Sequence, residues 1–345
     1  EMQAYAEEAV ANRLNDPGGP AAALVAIDPR DGAVRAMYGG KNFATSKVNL
    51  ATGDGGSGRQ AGSAFKPFTL AAAMEQGYSL DSQWYGPSPI TIQDPECYTD
   101  GAPWELSNAS DSESGTFTLL SATTHSVNTV YAQVASAVTP KAIVDVAGRM
   151  GIRSPLEPVC SITLGTQAVT PLEMTNAYAT LAARGWRHRA SPLERVDTAD
   201  GETDLQIGGR GKLVLRQNDA DLITYALETV IESGTGTAAA IGRPAAGKTG
   251  TAQEYWDAWF CGYVPQLVTC VWVGYPQGEI PLEDVEGFSA VYGGTIPALI
   301  WHDFMSQATA AMRIKDFADP SFEGYTLDAP SPPPPPAPSV APSPK

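Results

Sequence analysis

The chain has 345 residues, 43% of them hydrophobic, with 38 acidic against 22 basic side chains and a formal net charge of −16. That length holds one large domain or two ordinary ones with a proper core, and the acidity, with no basic run, argues against nucleic acid as a partner. No stretch approaches the roughly 20 apolar residues of a membrane span and no signal peptide opens the chain, while a helix starting at Glu1-Met2 without a preceding cap reads as the cut edge of something longer.

Met2, Ala6, Ala9, Val10 and Leu14 give a helical stripe that stops at Asn15-Asp16-Pro17-Gly18-Gly19. Ala22 to Asp28 and Ala33 to Tyr38 flank Pro29-Arg30-Asp31-Gly32 as a strand hairpin. Residues 39–60 form a glycine-rich polar loop. It leads to Gly62-Ser63-Ala64-Phe65-Lys66-Pro67, where Phe65, Phe68, Leu70, Ala71, Ala72 and Met74 predict a buried helix ending at Gly77. Ser63 stands at that helix start with Lys66 one turn on, so the two share a face and the amine can reach the hydroxyl.

From Leu80 to Gly115 the composition is turn-like, with Pro87, Pro89, Pro95 and Pro103, and predicts a long surface excursion. Helices resume after it. His125-Ser126-Val127-Asn128 heads an apolar helical run, Thr139-Pro140 opens a helix that ends at Gly151, and Thr170-Pro171-Leu172-Glu173 is a capping box for a helix closing at Gly185. Residues 186–217 predict a small hairpin, and a helix runs from about Asp219 to Glu232. The period then becomes strand-like through Gly247 to Thr251, Trp259 to Val264 and Leu267 to Tyr275, before a last helix from Thr295 to Met312.

The expected fold class is α/β (α+β): one five-stranded antiparallel sheet built from both ends of the chain and flanked by helices, with an all-helical subdomain in the middle. Residues 1–20 read as the end of a linker with the first helix, 21–318 as the domain, and 319–345 as a Pro-rich disordered tail around Ser331-Pro332-Pro333-Pro334-Pro335-Pro336.

Cys97, Cys160, Cys261 and Cys270 show no Cys-x-x-Cys spacing and only three histidines accompany them, so no metal or other cofactor is expected. A two-residue loop at Pro265-Gln266 makes opposed strand positions sum to 531, which sets Cys261 against Cys270 in a non-hydrogen-bonded pair within disulfide reach. A longer turn shifts the register and leaves two buried thiols. If that bridge forms, the compartment is oxidising and Cys97 with Cys160 is the remaining pair.

Ser-x-x-Lys at Ser63 and Lys66, Ser-x-Asn at Ser126 and Asn128, and Lys-Thr-Gly at Lys248, Thr249 and Gly250 occur in that order. Each is common alone; the ordered trio on helix, loop and strand is specific to penicillin-recognising serine enzymes. A rival pattern overlaps the last motif, since Gly242 to Thr249 also fits the phosphate loop Gly-x-x-x-x-Gly-Lys-Thr. That loop needs a strand before it and a helix after it, whereas a strand-like run follows here. A histidine-based serine hydrolase fits less well, because no Gly-x-Ser-x-Gly elbow exists and His188 and His302 have no evident partners.

With Asp257-Ala258-Trp259-Phe260-x-Gly262-Tyr263, Val271-Trp272-Val273-Gly274-Tyr275, Gly293-Gly294-Thr295 before Ile300-Trp301-His302-Asp303-Phe304-Met305, and Leu164-Gly165-Thr166-Gln167, the sequence resembles the transpeptidase domain of class A penicillin-binding proteins over roughly residues 4–315. The resemblance implies a β-lactamase/transpeptidase-like fold and D,D-transpeptidation of peptidoglycan stem peptides, with β-lactams as inhibitors of the same serine. Ser63 would be the acylated nucleophile, Lys66 its base, Ser126 the proton relay to the departing amine, and Lys248 the charge that keeps Lys66 neutral and attracts the substrate carboxylate. Asn128 would bind the stem-peptide amide, Thr249 and Thr251 the terminal carboxylate, and the N–H groups of Ser63 and Thr251 the oxyanion. Gly250 would leave room for substrate added along the strand.

By the same resemblance the parent protein is anchored on the extracytoplasmic face of a bacterial membrane and carries an N-terminal glycosyltransferase domain, which this chain lacks. Three other activities share the trio. A class A β-lactamase needs a Glu-x-x-Leu-Asn carboxylate, and Glu157 is followed instead by Pro158-Val159-Cys160. A D,D-carboxypeptidase uses water in place of the amine, and a β-lactam sensor or wall-binding module keeps the acylation and loses turnover.

Overall fold

The structure, a computed structural model, describes residues 1–328 apart from 17, 42–46, 54–57, 111–112 and 207–210. The polyproline stretch from Ser331 onward, and parts of the predicted loop 39–60, lie outside the described residues.

Helix α1 (Met2–Ala11) precedes strands β1 (Ala21–Ile27) and β2 (Val34–Tyr38). The chain then enters the helical part, with α2 (Lys66–Glu75), α3 (Leu119–Thr124), α4 (Asn128–Val138), α5 (Pro140–Met150), α6 (Pro171–Ala182) and α7 (Gln217–Glu232). It returns as β3 (Ala246–Thr251), β4 (Asp257–Val264) and β5 (Leu267–Gly274), and α8 (Ile296–Thr309) follows. The sheet order is β3-β4-β5-β1-β2, every pair antiparallel. Both ends of the chain therefore build one sheet, as the patterning predicts.

Strands β4 and β5 are buried along their whole length on both faces, which is why they read as nearly continuous apolar runs. Trp259, Cys261, Tyr263, Val268, Cys270 and Trp272 face the helical part, in one core with α2 and α4 to α7. Phe260, Val264, Leu267 and Val271 face the other way, in a second core under α1 and α8. Each such side chain contributes roughly 1.5–3 kcal/mol by leaving water. The sheet is thus a rigid partition with α6 and α7 on one side and α8 on the other.

Cys261 stands opposite Cys270 and the two are bonded, as are Cys97 and Cys160. The Thr170–Glu173 capping box forms, with the Thr170 side chain on the Glu173 amide and Glu173 returning to the Thr170 amide. Two expectations need correction. The helical part is not wholly helical: short ladders join Gln83–Gly86 to Gly115–Thr118, Ile90–Ile92 to Trp104–Leu106, and Arg59–Gln60 to Ala168–Val169. A hairpin of Glu283–Val285 and Phe288–Ala290 precedes the last helix. Residues 319–328, assigned to the disordered tail, are laid down the helical part. Tyr325 exchanges backbone bonds with Gly77 and Ser79, Leu327 O accepts from Gln83 N, and Phe322 meets Tyr225 edge to face. The two aromatic rings and free backbone groups of this strap find partners that its composition does not reveal.

Candidate active site

Ser63 lies in a 3-10 turn, Gly62–Phe65, that runs straight into α2 and puts Lys66 at the first helical position with Pro67 next, where a missing N–H breaks no bond. Gly62 takes φ +56°, and a Cβ there would stand 2.6 Å from Thr251 N. Gly165 takes φ +64° as the cap of the turn Cys160–Leu164, its carbonyl accepts from Gly62 N at 3.3 Å, and a Cβ on it would stand 2.5 Å from that same nitrogen. Three backbones thus interlock behind Ser63: the Gly62–Phe65 turn, the 160–165 turn and the edge strand β3. Tyr178 on α6 adds a fourth hold, its hydroxyl donating to Ala64 O at 2.7 Å.

Lys66 is fully buried. Its Nζ lies 2.6 Å from Ser126 O, 3.1 Å from Ser126 Oγ and 2.8 Å from Asn128 Oδ1, and 5.2 Å above the Tyr131 ring. Lys248, also fully buried, reaches across from β3 to Ser126 Oγ at 2.8 Å and donates to Thr249 O at 3.1 Å. Ser126 Oγ is therefore the meeting point of two lysines. Burial pushes the Lys66 amine well below its ordinary value, the Lys248 charge pushes it further, and Glu113 opposes them. Burial pushes Lys248 down to about 7. Desolvation and the shared hydroxyl both disfavour two ammonium groups at once.

Ser126 adopts φ +62°, an uncommon conformation for a residue with a Cβ. The turn it makes joins α3 to α4 and lets its carbonyl and its hydroxyl both face Lys66. On the strand side, Thr249 Oγ1 pairs with Thr235 Oγ1 at 2.7 Å, and Thr251 Oγ1 accepts from Gly293 N at 3.2 Å. The crowding at Gly250 is with the chain itself: a Cβ there would clash with Ala61 O and stand 2.9 Å from the Ala64 Cβ.

The structure brings Ser63, Lys66, Ser126, Asn128, Lys248, Thr249, Gly250 and Thr251 to one cleft between β3 and the helical part. One predicted contact takes another form. Among the described residues the hydrogen bonds of Lys66 go to Ser126 and Asn128 rather than to Ser63, because three oxygens, one a backbone carbonyl, satisfy a buried amine better than one hydroxyl. Sequence reasoning missed Tyr131, Thr235, Gly62 and Gly165. Tyr131 is three residues from Asn128 and hence on its helix face, a usable signal; the others depend on segments that meet only in the fold. Ala246–Thr251 is a strand followed by the short turn Gln253–Tyr255, so Gly247-Lys248-Thr249 has no helix N-terminus to hold a phosphate, and the phosphate-loop reading fails.

An antiparallel five-stranded sheet with helices on both faces carries, beside its edge strand, two buried lysines joined through one serine hydroxyl. Residues 22–279 match the family model "Penicillin binding protein transpeptidase domain", and the chain belongs to that family. It is 35% identical over 350 residues to Penicillin-binding protein 1A of Mycobacterium tuberculosis, covering 94% of this chain and 40% of the relative. The structure of the penicillin-binding protein PonA1 from Mycobacterium tuberculosis is similar at 33% identity with a TM-score of 0.81, covering 100% of this chain and 91% of the other. The PonA1 structure in complex with penicillin V is similar at 34% identity and a TM-score of 0.81, covering 97% and 89%. The chain spans about 40% of the length of the curated relative from Mycobacterium tuberculosis.

Proposed function

We propose that this chain is a serine D,D-transpeptidase domain that crosslinks peptidoglycan stem peptides through an acyl-enzyme on Ser63. The observation that carries the reading is the pair of buried lysines converging on Ser126 Oγ, one of them at the first turn of the helix that Ser63 opens. A serine hydroxyl needs a base, and a lysine is one only when its amine is neutral; burial and the Lys248 charge favour that form of Lys66.

In this reading Lys66 takes the Ser63 proton as Oγ attacks the carbonyl of the penultimate D-Ala. The N–H groups of Ser63 and Thr251 hold the oxyanion. Ser126, between the two lysines, passes the proton to the leaving amine, and D-Ala departs. Asn128 binds the stem amide and Thr249 and Thr251 the terminal carboxylate, beside Lys248. An amine of a second stem then attacks the ester, gives up its proton and regenerates Ser63 with one new peptide bond. A β-lactam acylates the same oxygen but keeps its amine tethered, so it blocks the second attack. The penicillin V complex of PonA1 supports a β-lactam as ligand of this fold. The relatives' name and the 40% of the relative that is covered support a place in a longer penicillin-binding protein 1A; a peptidoglycan substrate would have the domain work outside the cytoplasmic membrane.

Intact-protein mass spectrometry after incubation with a fluorescent penicillin tests this on wild type and Ser63→Ala. A single adduct present only in the wild type is the expected result, with D-Ala release and crosslinked product from a stem peptide and an amine acceptor. An adduct that persists in Ser63→Ala removes Ser63 as the nucleophile; D-Ala release without crosslinks makes the domain a carboxypeptidase.

A further inference from the structure

The excursion over residues 80–115 ends at the cleft, and its last residues meet the start of α4. Helix α4 opens at Asn128 behind Val127, whose side chain cannot accept a hydrogen bond from the first amides. Asn108 does so from twenty residues away. Its Oδ1 accepts from Thr129 N at 3.0 Å, its Nδ2 donates to Glu113 O at 2.5 Å, and its own N–H donates to Ser88 Oγ at 3.0 Å. The residue is only 8% exposed. The carbonyl just before it, Ser107 O, accepts from Asn128 Nδ2 at 3.2 Å, while Asn128 Oδ1 faces Lys66 Nζ.

A carboxamide has one carbonyl and two N–H groups. With Oδ1 toward Lys66 and one N–H toward Ser107 O, the Asn128 amide cannot turn over without setting its carbonyl against the Ser107 carbonyl. One N–H is left for a ligand, and it recognises an acceptor only. The Ser107–Asn108 segment is itself anchored. Trp104–Leu106, directly before it, pairs with Ile90–Ile92, Cys97 is bonded to Cys160, and Asp94 Oδ2 accepts from Ser136 Oγ at 2.6 Å on α4.

We propose that Asn108 is a positioning residue: by capping α4 and holding the Ser107 carbonyl against Asn128, it fixes the Asn128 amide so that the cleft selects substrates carrying an amide carbonyl beside the bond to be cleaved. The inference rests on the reading of Ser63 as nucleophile and Asn128 as amide ligand.

The test compares acylation rates for benzylpenicillin, which carries an acylamino carbonyl, and 6-aminopenicillanic acid, which has the same bicyclic core and a bare amine. Asn108→Ala should slow benzylpenicillin about tenfold, the scale of one misplaced neutral hydrogen bond, and 6-aminopenicillanic acid less than about twofold. Asn108→Asp retains an acceptor for Thr129 N but, when ionised, turns a carboxylate oxygen on Glu113 O, so it should recover only part of the benzylpenicillin rate. Equal slowing of both ligands makes Asn108 a fold residue and overturns the proposal, as do two unchanged rates. Should Asn108→Ala not fold, Ser88→Ala removes the acceptor of the Asn108 amide and should give the same selective pattern at smaller size; its absence has the same force. A wild type acylated by neither ligand is a distinct result that overturns the underlying reading and the proposal with it.

Discussion

The two walls of the cleft reach one hydroxyl by different routes. On the strand wall, Lys248, Thr249 and Thr251 are three positions of one ladder, held in register by β4, with Lys248 opposite Cys261 and Thr251 opposite Ala258. On the helical wall, Ser63, Lys66, Ser126 and Asn128 come from two helix starts that are bound to each other, to residues 107–108 and to residues 160–165 through contacts long in sequence. The electrostatics differ in the same sense. Lys248 is depressed by burial alone, whereas Lys66 is depressed by burial and by Lys248. A wall set by one ladder is robust; a wall assembled from distant segments is tunable at each junction.

Removing the Lys66 amine, the proposed base, tests the helical wall most severely. Lys66→Met keeps the buried volume and removes the amine, and β-lactam acylation should fall by about 10³-fold, the range of general-base catalysis, with the melting temperature unchanged or raised. Retained acylation within about tenfold assigns the proton to another group, Lys248 first.

Gly62→Ala attacks the seam between the walls. Its φ of +56° disfavours a side chain and the new methyl meets the Thr251 backbone, so the turn must shift against β3. The left-handed conformation costs about 1–2 kcal/mol, and a displacement near 1 Å lowers acylation by about 10²-fold. Thermal denaturation and acylation kinetics on one preparation separate the two losses. Full acylation with lowered stability would show that the interlock holds the fold and not the nucleophile.

Lys248→Met asks whether one wall sets the base of the other. The Lys66 amine must be neutral to act, so acylation rises with pH through its depressed pKa. Without the Lys248 charge that pKa moves up, the rising limb moves to higher pH, and the rate at pH 7 falls by roughly tenfold. A limb that stays in place while the rate drops leaves Lys248 with a substrate-binding role only. Stability carries a matching sign. With Lys248 at about 7 in the fold and near 10.4 unfolded, the unfolded chain binds more protons between those values. Its contribution to stability therefore rises with pH across that window and is lost as pH falls toward 7. Lys248→Met removes this titration, so the wild type should gain stability relative to the variant from pH 7 to pH 10.

The contrast between the walls also explains what the sequence disclosed. Strand patterning and the two-residue loop at Pro265-Gln266 set the register that pairs Cys261 with Cys270, because period and turn length are local quantities. The Thr170–Glu173 cap is equally local. Asn108 has no such signature: it caps a helix from twenty residues away, inside a stretch whose prolines read as surface loop. Gly62 and Gly165 look like ordinary loop glycines until the fold sets one on the other. The motif residues were legible as a trio, but the Lys66 partners were not, since the choice of Ser126 O and Asn128 Oδ1 over Ser63 depends on how α3, α4 and α2 pack.

The smallest expected effect lies at the far end of α2. The strap 320–328 closes that end, where the Tyr325 ring packs at a tilt of 45° against Tyr78 with centroids 4.8 Å apart and its N–H donates to Gly77 O. Tyr325→Ala removes the ring and leaves the backbone bonds, a loss on the order of 1 kcal/mol, read as a drop of about 2 °C in Tm. Acylation should be unchanged, because the first turn of α2 is held by Gly165, Tyr178 and β3 at the opposite end of the helix. A slowed acylation at unaltered stability would mean that α2 moves as a rod and carries strap contacts to Ser63. The helical wall would then be tuned from both ends, and its difference from the strand wall would be larger than the site itself reveals.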